Sequence, residues 1–244
     1  MKRLIRMLTL DLRSILRDPL LAVFPFVPFL AAGALRFAVP VVSRLLAGSA
    51  RIDLEPYRPI IAIVVLLLPG SMLGTVAGFL MLEERDEGIG AYRAATPGGR
   101  AGYLGMRLLP PTIAAWLIGI AVVYLGGFSG EFVGAAGPYA FIPIALLSVP
   151  AALGTPFYAL CLAAFPANKI EGLAFSKGMS ILDFAPIAVL APSAFRTIGM
   201  LLPPFWIAEA VAGTTGFLPS LLIAIAFHLA VVGAMIAVFV RRID

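Results

Sequence analysis

Residues 60–88 read IIAIVVLLLPGSMLGTVAGFLMLEERDEG. The first 23 of these residues carry no charge, whereas the last six hold four acids and one arginine before a glycine. An uncharged run of about 20 residues is long enough to cross a bilayer as an α-helix. The acidic cluster marks the point where this helix leaves the apolar layer. The stretch therefore predicts a membrane-spanning helix at 59–82 followed by a charged loop.

The composition of the whole chain extends this prediction to the fold class. Of 244 residues, 61% are hydrophobic and 13% are charged, with a mean hydropathy of +1.02. A soluble domain has about 45–50% apolar and about 25% charged residues, so a soluble enzyme and a disordered chain are both excluded. Long continuous apolar runs, without short alternating segments, argue against a membrane β-barrel. We predict an all-α integral membrane protein, in which the single Cys161 allows no internal disulfide.

Six apolar stretches are predicted to span the membrane, at about 19–39, 59–82, 108–127, 138–164, 178–200 and 217–240. Prolines inside the first, fourth and fifth predict kinked helices there, and Pro110 and Pro111 are expected to open the third. Residues 191–216, before span six, are apolar but broken by three prolines and Gly213. They are predicted to form an external re-entrant segment. Residues 19–244 are therefore predicted to form a single six-span transmembrane domain.

Residues 1–18 are predicted to form an amphipathic helix lying in the membrane interface. Six apolar side chains fall on one face of this helix and five basic side chains on the other. A signal peptide is the weaker alternative, because no short apolar core with a small-residue cleavage site follows the basic start.

The distribution of Lys and Arg predicts the orientation. With a cytoplasmic N-terminus, 13 basic residues fall in inside segments and four in outside segments. The positive-inside rule then favours a multi-pass protein with both termini in the cytoplasm, which agrees with an even number of spans. The net charge of +5 is accordingly interpreted as orientation and lipid contact, and not as nucleic-acid binding.

The loop at 83–107 is the most informative segment for function. Four carboxylates at a cytoplasmic helix end run against the basic bias, so they are expected to have partners. Ile89, Tyr92 and Arg93 share one helical face, while Gly88 can end span two and Thr96-Pro97 can end the next helix. This pattern predicts a short helix parallel to the membrane. A solvated loop with ordinary interface charges is the alternative.

The order of these motifs resembles the permease subunits of ABC-2-type (type V) ABC transporters. The residues that carry the resemblance are Glu84, Arg85, Asp86, Glu87, Gly88, Thr96 and Pro97 in the loop, Leu16-Arg17-Asp18-Pro19 at the end of the N-terminal amphipathic helix, and Leu202-Pro203-Pro204-Phe205-Trp206 before the last span. The resemblance extends over nearly the whole chain. Within the family, the chain is most similar to small permeases for export of fluoroquinolones or other drugs.

The resemblance implies a mechanism. Residues 88–97, including Tyr92, would form a coupling helix that docks on a separate ABC ATPase subunit. The acids and Arg85 would fix span two to the N-terminal helix or to that ATPase. The chain has no G-x-x-x-x-G-K-[ST] phosphate loop, so ATP and Mg²⁺ would be bound by the partner. The family also implies a second permease, as a homodimer or heterodimer, in a prokaryotic cytoplasmic (inner) membrane.

Several residues within the apolar layer are candidates for the transport pathway. Asp183 and His228 are ionisable residues inside predicted spans, which suggests function. The alternatives are a capped interfacial carboxylate for Asp183 and a neutral histidine hydrogen-bonded between helices for His228. Phe26 and Phe29 could line an apolar path, although lipid or helix contact is the simpler role. An external gate is assigned to Pro203, Pro204, Phe205, Trp206 and Glu209, with both aromatic residues expected at the interface.

Two other classes of function are weighed against a powered exporter of an amphipathic or hydrophobic compound. A proton-coupled secondary transporter would use Asp183 or His228 and need no ATPase. A membrane-embedded lipid enzyme would need clustered metal ligands or a nucleophile with a base. One histidine, one cysteine and a single acid cluster at Glu83–Glu87 offer little material for that chemistry, so no catalytic or metal-binding residues are assigned.

Overall fold

The computed structural model describes residues 18–49, 55–88, 99–135, 137 and 139–243. These residues form α-helices and short 3₁₀ segments, and no strand occurs among them. The α-helices are α1 (Pro19–Val23), α2 (Val27–Ser49), α3 (Arg58–Asp86), α4 (Gly99–Leu125), α5 (Phe141–Ala152), α6 (Gly154–Ala164), α7 (Lys169–Met179), α8 (Ser193–Gly199), α9 (Pro203–Ala212) and α10 (Phe217–Ile243).

Six helical segments are long and apolar enough to cross a membrane, which confirms the predicted fold class and number of spans. Spans one to six cover Leu21–Leu46, Arg58–Asp86, Ala101–Leu125, Phe141–Ala164, Lys169–Leu190 and Phe217–Arg242. Spans two, four and six agree closely with the predicted stretches. Span one extends well beyond the predicted end at 39.

The predicted starts of spans three and five are wrong, and span five also ends at Leu190, ten residues before its predicted end. Helix α4 begins at Gly99, so Pro110 and Pro111 lie inside span three and do not open it. Span five begins at Lys169, nine residues before the predicted start. There the Asn168 side chain accepts hydrogen bonds from the backbone N–H groups of residues 170 and 171, each at 3.0 Å. This N-cap starts a helix that hydropathy alone places too late.

Spans one, four and five, which are predicted to be kinked by proline, are each interrupted as α-helices. Span one contains a 3₁₀ turn at Phe24–Phe26, and span four is divided into α5 and α6 at Leu153. Span five changes from α-helix to a 3₁₀ helix at Ser180–Leu190, which contains Pro186. A 3₁₀ run of 11 residues is long, since runs above about four are uncommon. Its buried residues include Asp183, Pro186 and Val189, at a spacing of three.

Spans two and four form the centre of the bundle. Span two is buried along 72% of its apolar part and span four along 67%, whereas the other spans are buried along 17–33%. A stripe of small residues, Gly70, Gly74 and Gly78, brings them together. A methyl group on Gly74 would lie 2.6 Å from the carbonyl oxygen of Thr155, and one on Gly78 would lie 2.7 Å from Cβ of Leu162. The stripe therefore packs spans two and four within one chain.

Two predicted elements lie outside the described residues: the interfacial helix at 1–18, apart from Asp18, and most of the coupling helix at 88–97. The segment at 191–216 is described, and it contains two short helices, α8 and α9, joined by a turn at 200–202. Helix α9 packs against α10 and against the 3₁₀ part of span five. Re-entry of this segment into the membrane stays a prediction.

Candidate functional site: a polar-walled cavity within the bundle

A cavity of about 260 Å³ lies between spans two, four, five and six. The turn before α9 and its first residues, Leu201 to Pro204, close one side of it. Most of the lining is apolar, but four side chains with polar groups also contribute: Ser71, Tyr158, Asp183 and His228. Ser71 and His228 are near the midpoints of their spans. The cavity thus has the composition of a ligand site, with apolar walls and a few polar groups.

Asp183 and Tyr158 form the polar wall of the cavity. The Tyr158 hydroxyl lies 2.9 Å from Oδ1 of Asp183 and 3.2 Å from the carbonyl oxygen of Met179. Ser71 is a neighbour of the carboxyl group, and its hydroxyl donates to the carbonyl oxygen of Leu68 at 3.1 Å. Asp183 is only 4% exposed. It is therefore a buried carboxyl group on the 3₁₀ part of span five, away from both ends of that span.

His228 contributes a second ionisable group to the same cavity. Its Nδ1 lies 2.7 Å from the carbonyl oxygen of Ala224, one turn earlier in span six. Because a carbonyl oxygen can only accept, Nδ1 carries a hydrogen in this contact. Nε2 is the ring nitrogen left for other partners. His228 is thus hydrogen-bonded within span six and not between helices, as the alternative predicted, and it also faces the cavity.

The structure separates the four predicted pathway residues into two groups. Asp183 and His228 both line the cavity. Phe26 and Phe29 do not line it: Phe26 is 61% exposed on the outside of span one, and Phe29 packs against the core. Lipid contact and helix packing are the roles that these positions fit.

Glu209 organises the segment before span six. We call α8, α9 and the turn at 213–215 the external cap, after the orientation that the sequence predicts. Nη2 of Arg196 lies 2.7 Å from each Glu209 carboxylate oxygen. Oε1 also accepts from the backbone N–H of Thr214 at 3.0 Å, from that of Thr215 at 3.2 Å and from the Thr215 hydroxyl at 2.8 Å. A methyl group on Gly213 would lie 2.1 Å from Cδ of Glu209. The carboxylate therefore needs a glycine beside it.

The surroundings of Glu209 lower its pKa. Burial alone would raise the pKa, because it removes water from the charged form. The hydrogen bonds from Thr215 and Thr214 and the positive charge of Arg196 favour the charged form and outweigh burial. Glu209 is thus a charged anchor that ties α9 to α8.

The five predicted gate residues all belong to this cap, but their positions differ. Pro203 and Pro204 line the cavity. The indole Nε1 of Trp206 donates to the carbonyl oxygen of Met200 at 3.0 Å and so fixes the turn between α8 and α9. Phe205 is fully buried in the core, so its predicted interfacial position is wrong. Its ring packs edge-on against Trp206, with centroids 5.5 Å apart.

Charged residues at the opposite end of the bundle join the spans to one another. We call this set the charged rim; it comprises Asp18, Glu84, Arg85, Arg107, Lys169 and Arg242. Glu84 accepts from the Tyr103 hydroxyl at 2.9 Å and from Nε of Arg107 at 3.0 Å, and Nη2 of Arg107 also contacts it. Glu84 is 7% exposed and Arg107 is 6% exposed. This buried ion pair fixes the end of span two to the start of span three.

Arg85 joins span two to span four. Its guanidinium donates to the carbonyl oxygens of Ala163 at 2.9 Å, Pro166 at 2.7 Å and Ala167 at 3.3 Å. Arg242, at the end of span six, donates to the next carbonyl, that of Ala164, at 2.8 Å. Both cations thus satisfy carbonyl groups at a helix C-terminus, where positive charge is favourable.

The remaining predicted coupling residues lie at the edge of the described region. Asp86 is partly exposed and contacts Arg85 at 3.2 Å, while Glu87 is exposed and caps α3. Gly88 has a φ of +70° and ends span two, as predicted. Tyr92, Thr96 and Pro97 lie outside the described residues. In the described part of the chain, no group of three or more His, Cys, Asp or Glu side chains could hold a metal ion.

Sequence reasoning missed Ser71, Tyr158, Tyr103 and Arg107 as site or rim residues. Tyr158 and Ser71 are ordinary residues of apolar spans, and only the crossing of spans two, four and five places them beside Asp183. A usable signal existed for Arg107. An acid at the end of one span and an arginine early in the next can pair across a short loop.

The chain is similar to a family of bacterial export permeases. A family profile described as "Fluoroquinolones export permease protein Rv2686c-like" matches residues 11–236. Two relatives, fluoroquinolones export permease proteins Rv2686c and MT2760 from two strains of Mycobacterium tuberculosis, are each 28% identical to the chain over 203 residues. The match covers 82% of this chain and 78% of each relative. No solved structure matches the chain significantly. Because the profile spans nearly the whole sequence, the chain belongs to the Rv2686c-like family of fluoroquinolones export permease proteins.

Proposed function

We propose that this chain is the permease subunit of an ATP-driven exporter of amphipathic or hydrophobic compounds. The cavity between spans two, four, five and six is the observation that carries the proposal, because it offers apolar walls and a few polar groups inside the bundle. The names of the relatives suggest that fluoroquinolone drugs are among the compounds transported.

Energy would come from a separate ABC ATPase that binds ATP and Mg²⁺ and docks on the coupling helix at 88–97. The charged rim supports this arrangement. Glu84 ties the end of span two to span three, and Arg85 ties it to the end of span four. A push on the segment that follows Gly88 would therefore reach three spans at once, two of which line the cavity.

The assembly that we propose contains two permeases and two ATPases in a prokaryotic inner membrane. Both termini of the chain would be cytoplasmic, so that the charged rim faces the ATPase and the external cap faces outward. Fewer lysine and arginine residues lie in the segments at the cap end than in those at the rim end, which agrees with this orientation.

The proposal is tested in inverted membrane vesicles that contain the tagged chain and any ABC ATPase whose gene lies beside its own. We expect the ATPase to co-purify with the chain and a fluoroquinolone to accumulate inside the vesicles when ATP is added. An ATPase with its phosphate-loop lysine replaced is the matched control and should abolish accumulation. Accumulation that persists with this control would reject ATP-driven transport.

A proton-coupled secondary transporter is the second candidate, and the two ionisable groups of the cavity, Asp183 and His228, favour it. The same vesicles separate the two functions. A protonophore should leave ATP-driven accumulation largely intact. If the protonophore abolishes accumulation and an imposed proton gradient restores it without ATP, the secondary transporter is the correct function.

A further inference from the structure

Asp183 has no ion-pair partner in the part of the chain that the structure describes. The ion pairs found there join other carboxylates to cations at the rim or near the external cap: Asp18, Glu84, Asp86, Glu131 and Glu209. The polar contact of Asp183 is instead a hydrogen bond from the Tyr158 hydroxyl at 2.9 Å. A buried carboxylate is costly unless a cation or hydrogen bonds replace its water. The cavity wall thus provides a hydrogen bond but no counter-charge.

The rest of the cavity suits an apolar body next to a positive group. Leu67, Phe157, Leu182, Leu202 and Val231 supply apolar surface around the carboxyl group. His228 is the only basic residue among those that line this cavity, and its Nδ1 is already bonded to Ala224. An anionic ligand would meet a carboxyl group without meeting an arginine or lysine. A cationic ligand would meet a carboxylate and a hydrogen-bond acceptor.

We propose that this cavity binds amphipathic organic cations, with the Asp183 carboxylate as the counter-charge of a ligand ammonium group. The ring or chain of the ligand lies against the apolar walls, and His228 accepts a hydrogen bond. This inference rests on the proposed export function, because it names the chemical class of the compound that the permease would carry.

The test uses the purified full-length chain in lipid nanodiscs, without any ATPase, so that it measures binding alone. The probes are three fluorescent compounds with the same ring: naphthylethylamine, naphthylethanol and naphthylacetate. Binding is measured by fluorescence titration, and the signal from empty nanodiscs is subtracted. We expect the amine to bind about tenfold more tightly than the alcohol, as for a hydrogen bond to a charged group, and the acetate to bind most weakly.

Two variants connect the preference to Asp183. Asp183→Asn removes the charge with little change in shape. We expect this variant to bind the amine and the alcohol about equally, with alcohol binding as in the unchanged chain. Asp183→Glu keeps the charge and should keep a preference for the amine. Persistent binding of the alcohol shows that the cavity has formed in each variant.

Each result then supports or rejects the proposal. Equal binding of amine and alcohol by the unchanged chain would reject it, even if Asp183→Asn failed to fold. An amine preference that survives in a folded Asp183→Asn variant would also reject it. Failure of the ATP-dependence test with an intact amine preference would reject the energy source but leave the site assignment in place.

Discussion

At the scale of single residues, the pair of neighbouring acids Glu83 and Glu84 provides a matched comparison. Glu84 is buried against Arg107 and Tyr103, whereas Glu83 is exposed. Removing one partner of a buried ion pair costs about 3–5 kcal/mol, because the other charge stays buried. We expect Glu84→Gln to lower the thermal unfolding midpoint of the detergent-purified chain markedly. Glu83→Gln should change stability by at most about 0.5 kcal/mol; similar losses in both variants would contradict the assigned pairing.

The pH dependence of stability tests the external cap. The pKa of Glu209 lies below its ordinary value of 4.5 in the folded chain. The folded state therefore binds fewer protons than the unfolded state, and the stabilisation is present above pH 4.5 and is lost as pH falls through the folded pKa. We expect the difference in unfolding midpoint between the unchanged chain and Glu209→Gln to shrink below pH 4.5. A difference that stays constant with pH would contradict the charged state of Glu209.

The residues of the cavity show how far sequence reaches at this scale. Asp183 and His228 are identifiable because an ionisable group in an apolar run is rare. Tyr158 and Ser71 are not, since either residue is common in a membrane helix. They matter because spans two, four and five cross beside Asp183. Where helices cross depends on their packing, which no local sequence pattern predicts.

At the scale of elements, the contact between spans two and four depends on glycine. A methyl group on Gly74 would lie 2.6 Å from the carbonyl oxygen of Thr155 and 2.8 Å from Cβ of Tyr158. Because these atoms are fixed to the backbone of span four, they can move only if that helix moves. Overpacking of this kind costs about 1–3 kcal/mol. We expect Gly74→Ala to lower the thermal unfolding midpoint. Gly33→Ala in span one is the control, because a methyl group there meets nothing within 4 Å; an equal loss in both would contradict close packing at Gly74.

Span five shows what hydropathy could not predict. The apolar run at 178–200 is real, but the helix that crosses the bundle begins at Lys169, where Asn168 caps it. Hydropathy measures apolar content, whereas a helix begins where its first N–H groups find acceptors. The sequence analysis also did not predict the 3₁₀ segment of span five. Exposed and buried side chains each repeat every three positions there: Ile181, Phe184 and Ile187 are exposed, and Asp183, Pro186 and Val189 are buried. A search for the α-helical period of 3.6 residues does not detect this repeat.

At the scale of the whole molecule, the charged rim and the external cap close the two ends of one bundle. Asp18 pairs with Lys169 and so joins the starts of spans one and five, while Arg85 and Arg242 join the ends of spans two and six to the end of span four. The number of spans and the all-α class were predictable, because both depend on summed apolar content. The connections of the rim were not, since they depend on which ends meet.

Arg85 and Glu87 test the proposed coupling. Arg85 is bonded to three carbonyl oxygens near the end of span four, whereas Glu87 is exposed. We expect Arg85→Ala to lower transport per ATP hydrolysed and to destabilise the purified chain by about 1–3 kcal/mol. Glu87→Ala should lower the same transport ratio without a change in unfolding midpoint. Both quantities are measured on the complex in vesicles and on the purified chain; unchanged transport in both variants would contradict the coupling role.

The 3₁₀ part of span five also determines how far that span reaches. A 3₁₀ helix rises about 2.0 Å per residue and an α-helix about 1.5 Å, so the segment Ser180–Leu190 is longer by about one α-helical turn than the same residues would be as α-helix. Each residue deleted from this segment would rotate the remainder by about 120° and retract it by about 2 Å. Only the deletion of three residues, or of a multiple of three, would keep Val189 on the same face of the helix as Asp183. Natural length variation within this segment should therefore occur in steps of three.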